Sequence, residues 1–364
     1  MAGRMTGIAR YLLHFLRYGT SAPAGHEYVL FCNQHTEVPL QNARIKKVVI
    51  NEKFTPLWDQ VLLPRSLKEE KADVFLTPYF KAPFFMPCKT VLIINDLIPL
   101  FFPEESGPFR KAYFNFWCGR AARRADRIIT ISEHTKKDVV KCFGIDAEKI
   151  RVVYLAAERD PGGTDTVKVR SKYGLPDEFI FYVGNLSPHK NIKSLISAYG
   201  LLPQGLRAKY KLVLGTKKGG RYFQVIEKFI KAAGLTEDVV FTGFIKDADL
   251  PAVYRASSLF AFPSLYEGFG LPPLEAMAYG VPVVSSDCSS IPEVVRDAGI
   301  LVNPVRVQEI ADAMEKVLCS DNLKKEMIQK GLARASEFSI EKFGSDMLKI
   351  LEELMPDEKK GSYN

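Results

Sequence analysis

Two cysteines never stand together as C-x-x-C anywhere in the 364 residues. The six present (Cys32, Cys88, Cys118, Cys142, Cys288, Cys319) are scattered, which excludes a zinc-ribbon pattern and a disulfide framework and fits a reducing compartment. No apolar run approaches the roughly 18 residues of a membrane span. The stretch Tyr11-Leu-Leu-His-Phe-Leu16, with Ser21-Ala-Pro-Ala24 behind it, faintly imitates a secretory leader. Its apolar part is too short and carries His14, so it reads as an amphipathic first helix. Internal repeats and low-complexity segments are lacking. Histidine is scarce, at five residues, and His134 has no second histidine nearby, so it reads as structural rather than as a metal ligand.

What is there is the composition of an ordinary globular protein, with length enough for two domains, each with its own core. The net charge of +8 is uneven. Residues 1–150 carry 22 Lys and Arg against 15 Asp and Glu, a net of +7, and the remainder carries 28 against 27, a net of +1. A basic first half points to an anionic partner such as lipid headgroups, a phosphorylated acceptor or nucleic acid; a solvated surface explains the excess equally well. Between Phe101 and Arg127, Arg120, Arg123, Arg124 and Arg127 recur at three- and four-residue spacing among Phe, Tyr and Trp, predicting a basic helix face.

The most informative stretch runs from Phe262 to Ser285. Leu259 to Phe262 is a short buried strand that stops at Pro263. A turn with Gly268 and Gly270 follows, then Pro272 and Pro273, which the first turn of a helix tolerates because no N–H is needed there. Leu274 to Tyr279 is a short helix closed by Gly280, and Pro282-Val-Val-Ser285 begins the next strand. A glycine loop at a helix start lets a phosphate approach backbone N–H groups. Two carboxylates eight positions apart, Glu267 and Glu275, suit hydroxyls rather than phosphates, as acidic residues do for ribose in dinucleotide sites. A ligand with a charged middle and hydroxylated ends has that form, as a nucleotide sugar does.

Glu267 and Glu275 with the surrounding Pro-Ser-x-x-Glu-Gly-Phe-Gly-Leu-Pro-x-Leu-Glu-Ala-Met-Ala-x-Gly-x-Pro-Val resemble the E-x7-E signature of the retaining group 1, or family 4, glycosyltransferases. Met1 to Tyr11 resembles that family's first glycine loop, placing Gly7 and Ile8 near the donor; the family's buried strand ahead of this loop is not supplied by these residues. Lys89 to Pro99 is a buried strand ending in Asn95-Asp96, where relatives carry His-Asp; Asn95 can hydrogen-bond a sugar hydroxyl but cannot serve as a base. Arg127 to Asp138 matches a family strand–Ser132-Glu133–helix motif. Phe179 to Asn191 is a second strong motif, a strand ending at Gly184 and a loop presenting Lys190 and Asn191 at a helix start. The resemblance implies that Lys190 binds the diphosphate, more so because Asn185 stands where some relatives have Arg. Val239 to Ile245 is a strand and turn that lies by the nucleobase in relatives, bringing in Gly243 and Phe244. Asp247-Ala-Asp249 spells D-x-D, a manganese motif of the other glycosyltransferase fold; it reads here as a cap for the helix Leu250 to Ala256. Phe338 to Phe343 resembles the start of a helix that crosses back onto the first domain.

The alternation of strands and helices predicts an α/β chain, and the resemblance implies the GT-B arrangement: two Rossmann-like domains with a cleft between them. The expected division is 1–156 for the acceptor-side domain, 157–167 for the linker, 168–338 for the nucleotide-sugar domain, and 339–364 for the returning helix and tail. The resemblance further implies hexose transfer from GDP-mannose or a UDP-sugar, with retention, to a saccharide or lipid-linked acceptor, in cell-surface polysaccharide synthesis. Glu267, Lys190, Asn95 and Asp96 are the catalytic candidates. Gly7, Gly184, Asn185, Lys190, Gly243, Phe244, Glu267, Gly268, Phe269, Gly270, Leu271 and Glu275 are the donor-binding ones. No metal or other cofactor is expected, nor a nucleic-acid partner. A cytoplasmic location is expected, with peripheral contact to an anionic membrane as a further expectation. Three alternatives stay open: a GT-B-like epimerase, a phosphorylase, and a nucleotide-sugar binder without transfer activity.

Overall fold

The computed structural model describes residues 7–23, 25–157 and 165–357. They form two units, residues 1–156 with 340–364, and residues 157–339. The segment 158–164, within the expected linker, and the loop residues 1–6 lie outside the described residues. Helix Thr166–Tyr173 begins inside the stretch read as linker, because Asp165 caps it by accepting from the Val167 and Lys168 amides.

Among the described residues, the first unit carries six parallel strands in two sheets. β1 (Tyr28–Cys32) pairs with β2 (Ile45–Val49). β3 (Val74–Thr77), β4 (Lys89–Ile94), β5 (Arg127–Thr130) and β6 (Ile150–Val152) follow in order in the second sheet. β4 is buried on both faces, and its period of two sorts the core. Val91 and Ile93 face Tyr11 and Phe15 of helix Gly7–Ser21 and Phe343, Met347 and Ile350 of helix Ile340–Glu352. Leu92 and Ile94 face Phe114, Cys118 and Ala122 of helix Pro108–Arg124 on the other side. The helix from Ile340 is thus part of the first unit's core, and His26 Nε2 meets Glu352 Oε1 at 2.7 Å beside it.

Local chemistry explains the irregularities. Pro64 interrupts the helical run 55–69, and the chain widens into a π turn at Trp58–Leu62 just ahead of it, which relieves the clash of a proline ring with the carbonyl four residues back. Helix Pro108–Arg124 stops at Ala125, so Arg127 lies in β5 and not on the expected basic helix face; its guanidinium faces Glu353. Asp249 sits at the start of helix Leu250–Ala256 but does not cap it by a side-chain hydrogen bond. Its carboxylate is taken instead by Lys172 Nζ at 2.5 Å and the Tyr173 hydroxyl at 2.7 Å.

Among the described residues, the second unit is built on one six-stranded parallel sheet. β7 (Phe179–Val183), β8 (Lys211–Gly215) and β9 (Val239–Phe241) run outward on one side; β10 (Leu259–Phe262), β11 (Val283–Ser286) and β12 (Ile300–Val302) run outward on the other, in the order β12-β11-β10-β7-β8-β9. The chain therefore reverses its direction of travel between β7 and β10, which is where open α/β sheets gather ligands, outside the carboxyl ends of the strands. Aromatic rings pin these two strands together. Phe181 meets Phe260 edge-on at 5.9 Å and Tyr254 at 5.3 Å, and Tyr182 stacks on Phe262 at 5.7 Å, contacts worth about 0.5–1.5 kcal/mol each beyond their burial.

Candidate active site

The site is built where the loops after β7 and β10 meet. The β7 loop makes a short 3-10 turn, Pro188–Lys190, and leaves Asn191 in the left-handed region at φ 58. Asn191 is a cross-link rather than a ligand. Its Nδ2 donates to the Pro263 carbonyl at 3.0 Å and the Pro304 carbonyl at 2.7 Å, and its Oδ1 accepts from Ser194 Oγ at 2.7 Å. The His189 carbonyl accepts from the Leu265 amide at 2.7 Å and from Ser264 Oγ at 3.0 Å. With the two loops fastened in this way, Lys190 and Glu267, 77 positions apart in sequence, come into direct contact: Lys190 Nζ lies 2.5 Å from Glu267 Oε1. Both side chains are nearly buried, and the ammonium also stands over the Phe262 ring at 5.3 Å.

Glu267 is held from behind. Ser289 Oγ accepts from its amide at 2.9 Å and donates to its carbonyl at 2.7 Å, and Ser290 Oγ donates to the same carbonyl at 2.9 Å. Sequence reasoning missed both serines, although they sit directly after β11 in Ser285-Ser-Asp-Cys-Ser-Ser290, a run of small polar residues at a strand's carboxyl end. Neighbouring Cys288 has its thiol pushed up to about 11, chiefly by burial, with the Asp287 and Glu267 charges adding to it.

The helix that carries Glu275 runs Leu271–Ala278, three residues longer at its start than expected. Pro272 and Pro273 have no N–H, so of its first three residues Leu271 alone offers a backbone donor. Gly270 precedes it at φ 107, and a Cβ there would lie 2.7 Å from Ile291 Cδ1, so glycine is required on both counts. Glu275 is buried, and the Tyr254 hydroxyl donates to its Oε2 at 3.0 Å. Tyr254, itself fully buried and stacked on Tyr279 at 5.4 Å, is a second residue that sequence reasoning missed.

Strand order decides the remaining placements. Gly184 and Asn185 follow β7 directly; the Tyr182 hydroxyl donates to the Asn185 carbonyl at 2.7 Å, and Asn185 Oδ1 accepts from the Ser187 amide at 3.1 Å. Phe269 is buried with its ring edge-on to Phe338 at 5.8 Å, so only its backbone is available to a ligand. Gly243 and Phe244 follow β9, two strands away from β7. Gly7, Asn95 and Asp96 belong to the first unit. Gly7 opens the first helix, Asn95 Nδ2 donates to the Pro78 carbonyl at 3.4 Å beyond the end of β4, and Asp96 Oδ1 accepts from the Ile98 amide at 3.0 Å.

Residues 165–334 match the family model of glycosyl transferases group 1, and residues 5–160 match that of glycosyltransferase family 4. An O-antigen chain mannosyltransferase B of Escherichia coli is 32% identical over 283 residues, which cover 76% of this chain and 73% of that protein. The chain belongs to the group 1, or family 4, glycosyltransferases. Another relative, the serotype-specific mannosyltransferase WbdA of Escherichia coli, is 37% identical over 70% of this glycosyltransferase chain. That match spans only 32% of WbdA, about a third of its length. Among solved structures, Anabaena HepE in complex with UDP and glucose superposes with a TM-score of 0.76 at 20% identity, covering 97% of this chain and 98% of HepE. Sucrose-phosphate synthase of Thermosynechococcus elongatus gives 0.76 at 18% identity, covering 96% of this chain and 94% of that one. These likenesses identify the fold of this group 1 glycosyltransferase as GT-B: two Rossmann-like units, with the last helix counted in the first.

Proposed function

We propose that this chain transfers a hexose from a nucleoside diphosphate sugar to a saccharide or lipid-linked acceptor, with retention at the anomeric carbon, as a step in cell-surface polysaccharide synthesis. The observation that carries the reading is the Lys190–Glu267 contact at the carboxyl ends of adjacent strands, with the buried Glu275 on the helix that follows. Glu267 accepts hydrogen bonds from hexose hydroxyls, and Glu275, oriented by Tyr254, accepts them from ribose. Lys190 and the Leu271 amide face the diphosphate, whose charge grows as the glycosidic bond to the sugar breaks. A fixed ammonium in a nearly buried site stabilises that developing charge without reorganisation, the work a metal does in other transferases, so activity in excess chelator is expected. The names of the relatives, a serotype-specific mannosyltransferase and an O-antigen chain mannosyltransferase, support mannose as the sugar, for which GDP is the carrier expected here; the UDP and glucose held by HepE support UDP as the alternative.

The test is a thermal-shift panel of GDP, UDP, ADP and their sugars, followed by turnover with the sugar nucleotide that binds. A rise with one nucleotide family, lost in Glu275→Ala, and turnover abolished in Glu267→Ala and Lys190→Ala are the expected results. Binding and turnover unaffected in both of the last two variants would overturn the proposal. Turnover that releases free nucleotide only when an acceptor is present separates transfer from epimerisation, which leaves the nucleotide attached.

A further inference from the structure

Helix Pro108–Arg124 and the loop packed against it present a surface that the transfer chemistry of the second unit does not use. The loop, residues 78–88, is tied to the helix by rings: Phe80 against Tyr113 at 6.4 Å and Phe84 against Trp117 at 5.0 Å. Around these packed rings stand others largely open to solvent, Phe116 touching only the edge of the cluster through Trp117 at 5.6 Å. Phe109 is 91% exposed, Phe85 79% and Phe116 57%. Among the described residues, three exposed phenylalanines on one helix-and-loop surface stand well outside the usual scatter of single apolar side chains.

The charge on the same helix has one sign. Its 17 residues include Arg110, Lys111, Arg120, Arg123 and Arg124 and no Asp or Glu. None of these five makes an ion pair among the described residues. Arg120 lies over the Phe84 ring at 4.0 Å with its Nε buried and without a hydrogen-bond partner. Together with Arg124 it lines a pocket of about 200 Å³ between the loop and the helix. Asp126 is also in that wall, but Lys89 Nζ and the Thr90 amide, each at 2.9 Å, already occupy its carboxylate.

No helix among the described residues is long and apolar enough to cross a membrane. We infer that this surface docks the chain on a bilayer rich in anionic phospholipid, with Phe85, Phe109 and Phe116 entering the headgroup boundary and Arg120 and Arg124 receiving lipid phosphates. Exposed aromatic rings beside unpaired cations match both layers of such a bilayer: the rings leave water for the acyl boundary while the cations remain among the phosphates. A water-soluble acidic partner would account for the cations and leave the phenylalanines unexplained. The inference stands independently of the reaction proposed above, because its residues all lie in the first unit and its test contains no donor or acceptor.

The test is flotation of the whole chain with vesicles of phosphatidylcholine alone and of phosphatidylcholine with phosphatidylglycerol in roughly a 2:1 ratio. Capture by the anionic vesicles only, weakening as salt rises from about 0.1 M to about 0.5 M, is expected. The triple variant Phe85→Ser, Phe109→Ser, Phe116→Ser should bind at least about tenfold more weakly, since each ring contributes apolar area to the boundary. Because those rings are exposed, its thermal midpoint should match the parent's. Arg120→Gln with Arg124→Gln should bind less and lose part of the salt dependence. Absence of capture by anionic vesicles, or equal capture of the triple variant, overturns the inference. So does retardation of a single-stranded oligonucleotide in place of vesicle binding, or a dimer of the parent that the triple variant dissolves with vesicle binding unchanged.

Discussion

At the residue scale, the Lys190–Glu267 pair serves both stability and the proposed chemistry, and these can be separated. Removing one partner leaves the other charged and nearly buried, which costs on the order of 3 kcal/mol. Lys190→Met and Glu267→Gln should each lower the thermal midpoint of the second unit. The double variant removes both charges and should recover most of that loss, giving a large coupling in the double-mutant cycle. Sugar transfer should fall by about 100-fold or more in all three, because Lys190→Met and the double variant lose the fixed positive charge at the leaving diphosphate and Glu267→Gln loses the carboxylate that accepts the hexose hydroxyls. Stability recovered with activity still absent is the expected outcome; transfer restored in the double variant would show that the pair matters only as a structural tie. Tyr254→Phe probes the other carboxylate. A hydrogen bond to a charged group contributes about 1.5–3 kcal/mol, so the loss of the 3.0 Å contact to Glu275 should weaken binding of a ribonucleotide roughly tenfold. It should weaken binding of the corresponding deoxyribonucleotide much less, narrowing the ratio measured by calorimetry.

At the element scale, the returning helix Ile340–Glu352 can be tested by one close approach. A Cβ on Gly344 would lie 2.2–2.5 Å from Cγ, Cδ1 and Cβ of Tyr18 on helix Gly7–Ser21. These atoms sit near the tyrosine backbone and cannot swing aside as a side-chain tip can. Gly344→Ala should therefore destabilise the first unit by about 1–3 kcal/mol, the usual cost of overpacking, and Tyr18→Ser added to it should restore part of the loss in a denaturant titration. The elements also show what was legible beforehand. The β10–loop–helix–β11 stretch could be read from its own residues, because a proline stop, two glycines and a proline-led helix are local chemistry. The ion pair could not, since it depends on β10 returning beside β7 after two intervening strands. The cap proposed for Asp249 failed for a related reason: Lys172 and Tyr173, distant in sequence, compete for the carboxylate. Spacing alone carries Arg127 onto the helix face, because the periodicity continues through Ala125 and Asp126, where the backbone has already left the helix; the strand motif that begins at Arg127 gives its place correctly.

At the scale of the whole chain, the donor candidates that meet the Lys190–Glu267 pair come entirely from residues 157–339, while the returning helix and the basic aromatic surface belong to the other unit. Each unit has its own sheet or sheets and its own buried core, so a single unfolding midpoint need not describe the chain. Calorimetry should resolve two transitions. A nucleotide at 100 times its dissociation constant adds about 2.7 kcal/mol to the unit that binds it. For a unit of this size that raises one midpoint by roughly 5–10 °C, while the other stays within the scatter of the measurement. Gly344→Ala should then lower the transition that the nucleotide leaves alone, and Glu275→Ala should abolish the shift without moving it. If the nucleotide raises both transitions equally, the donor site draws residues from the first unit as well. Gly7, Asn95 and Asp96 would then become the first positions to substitute.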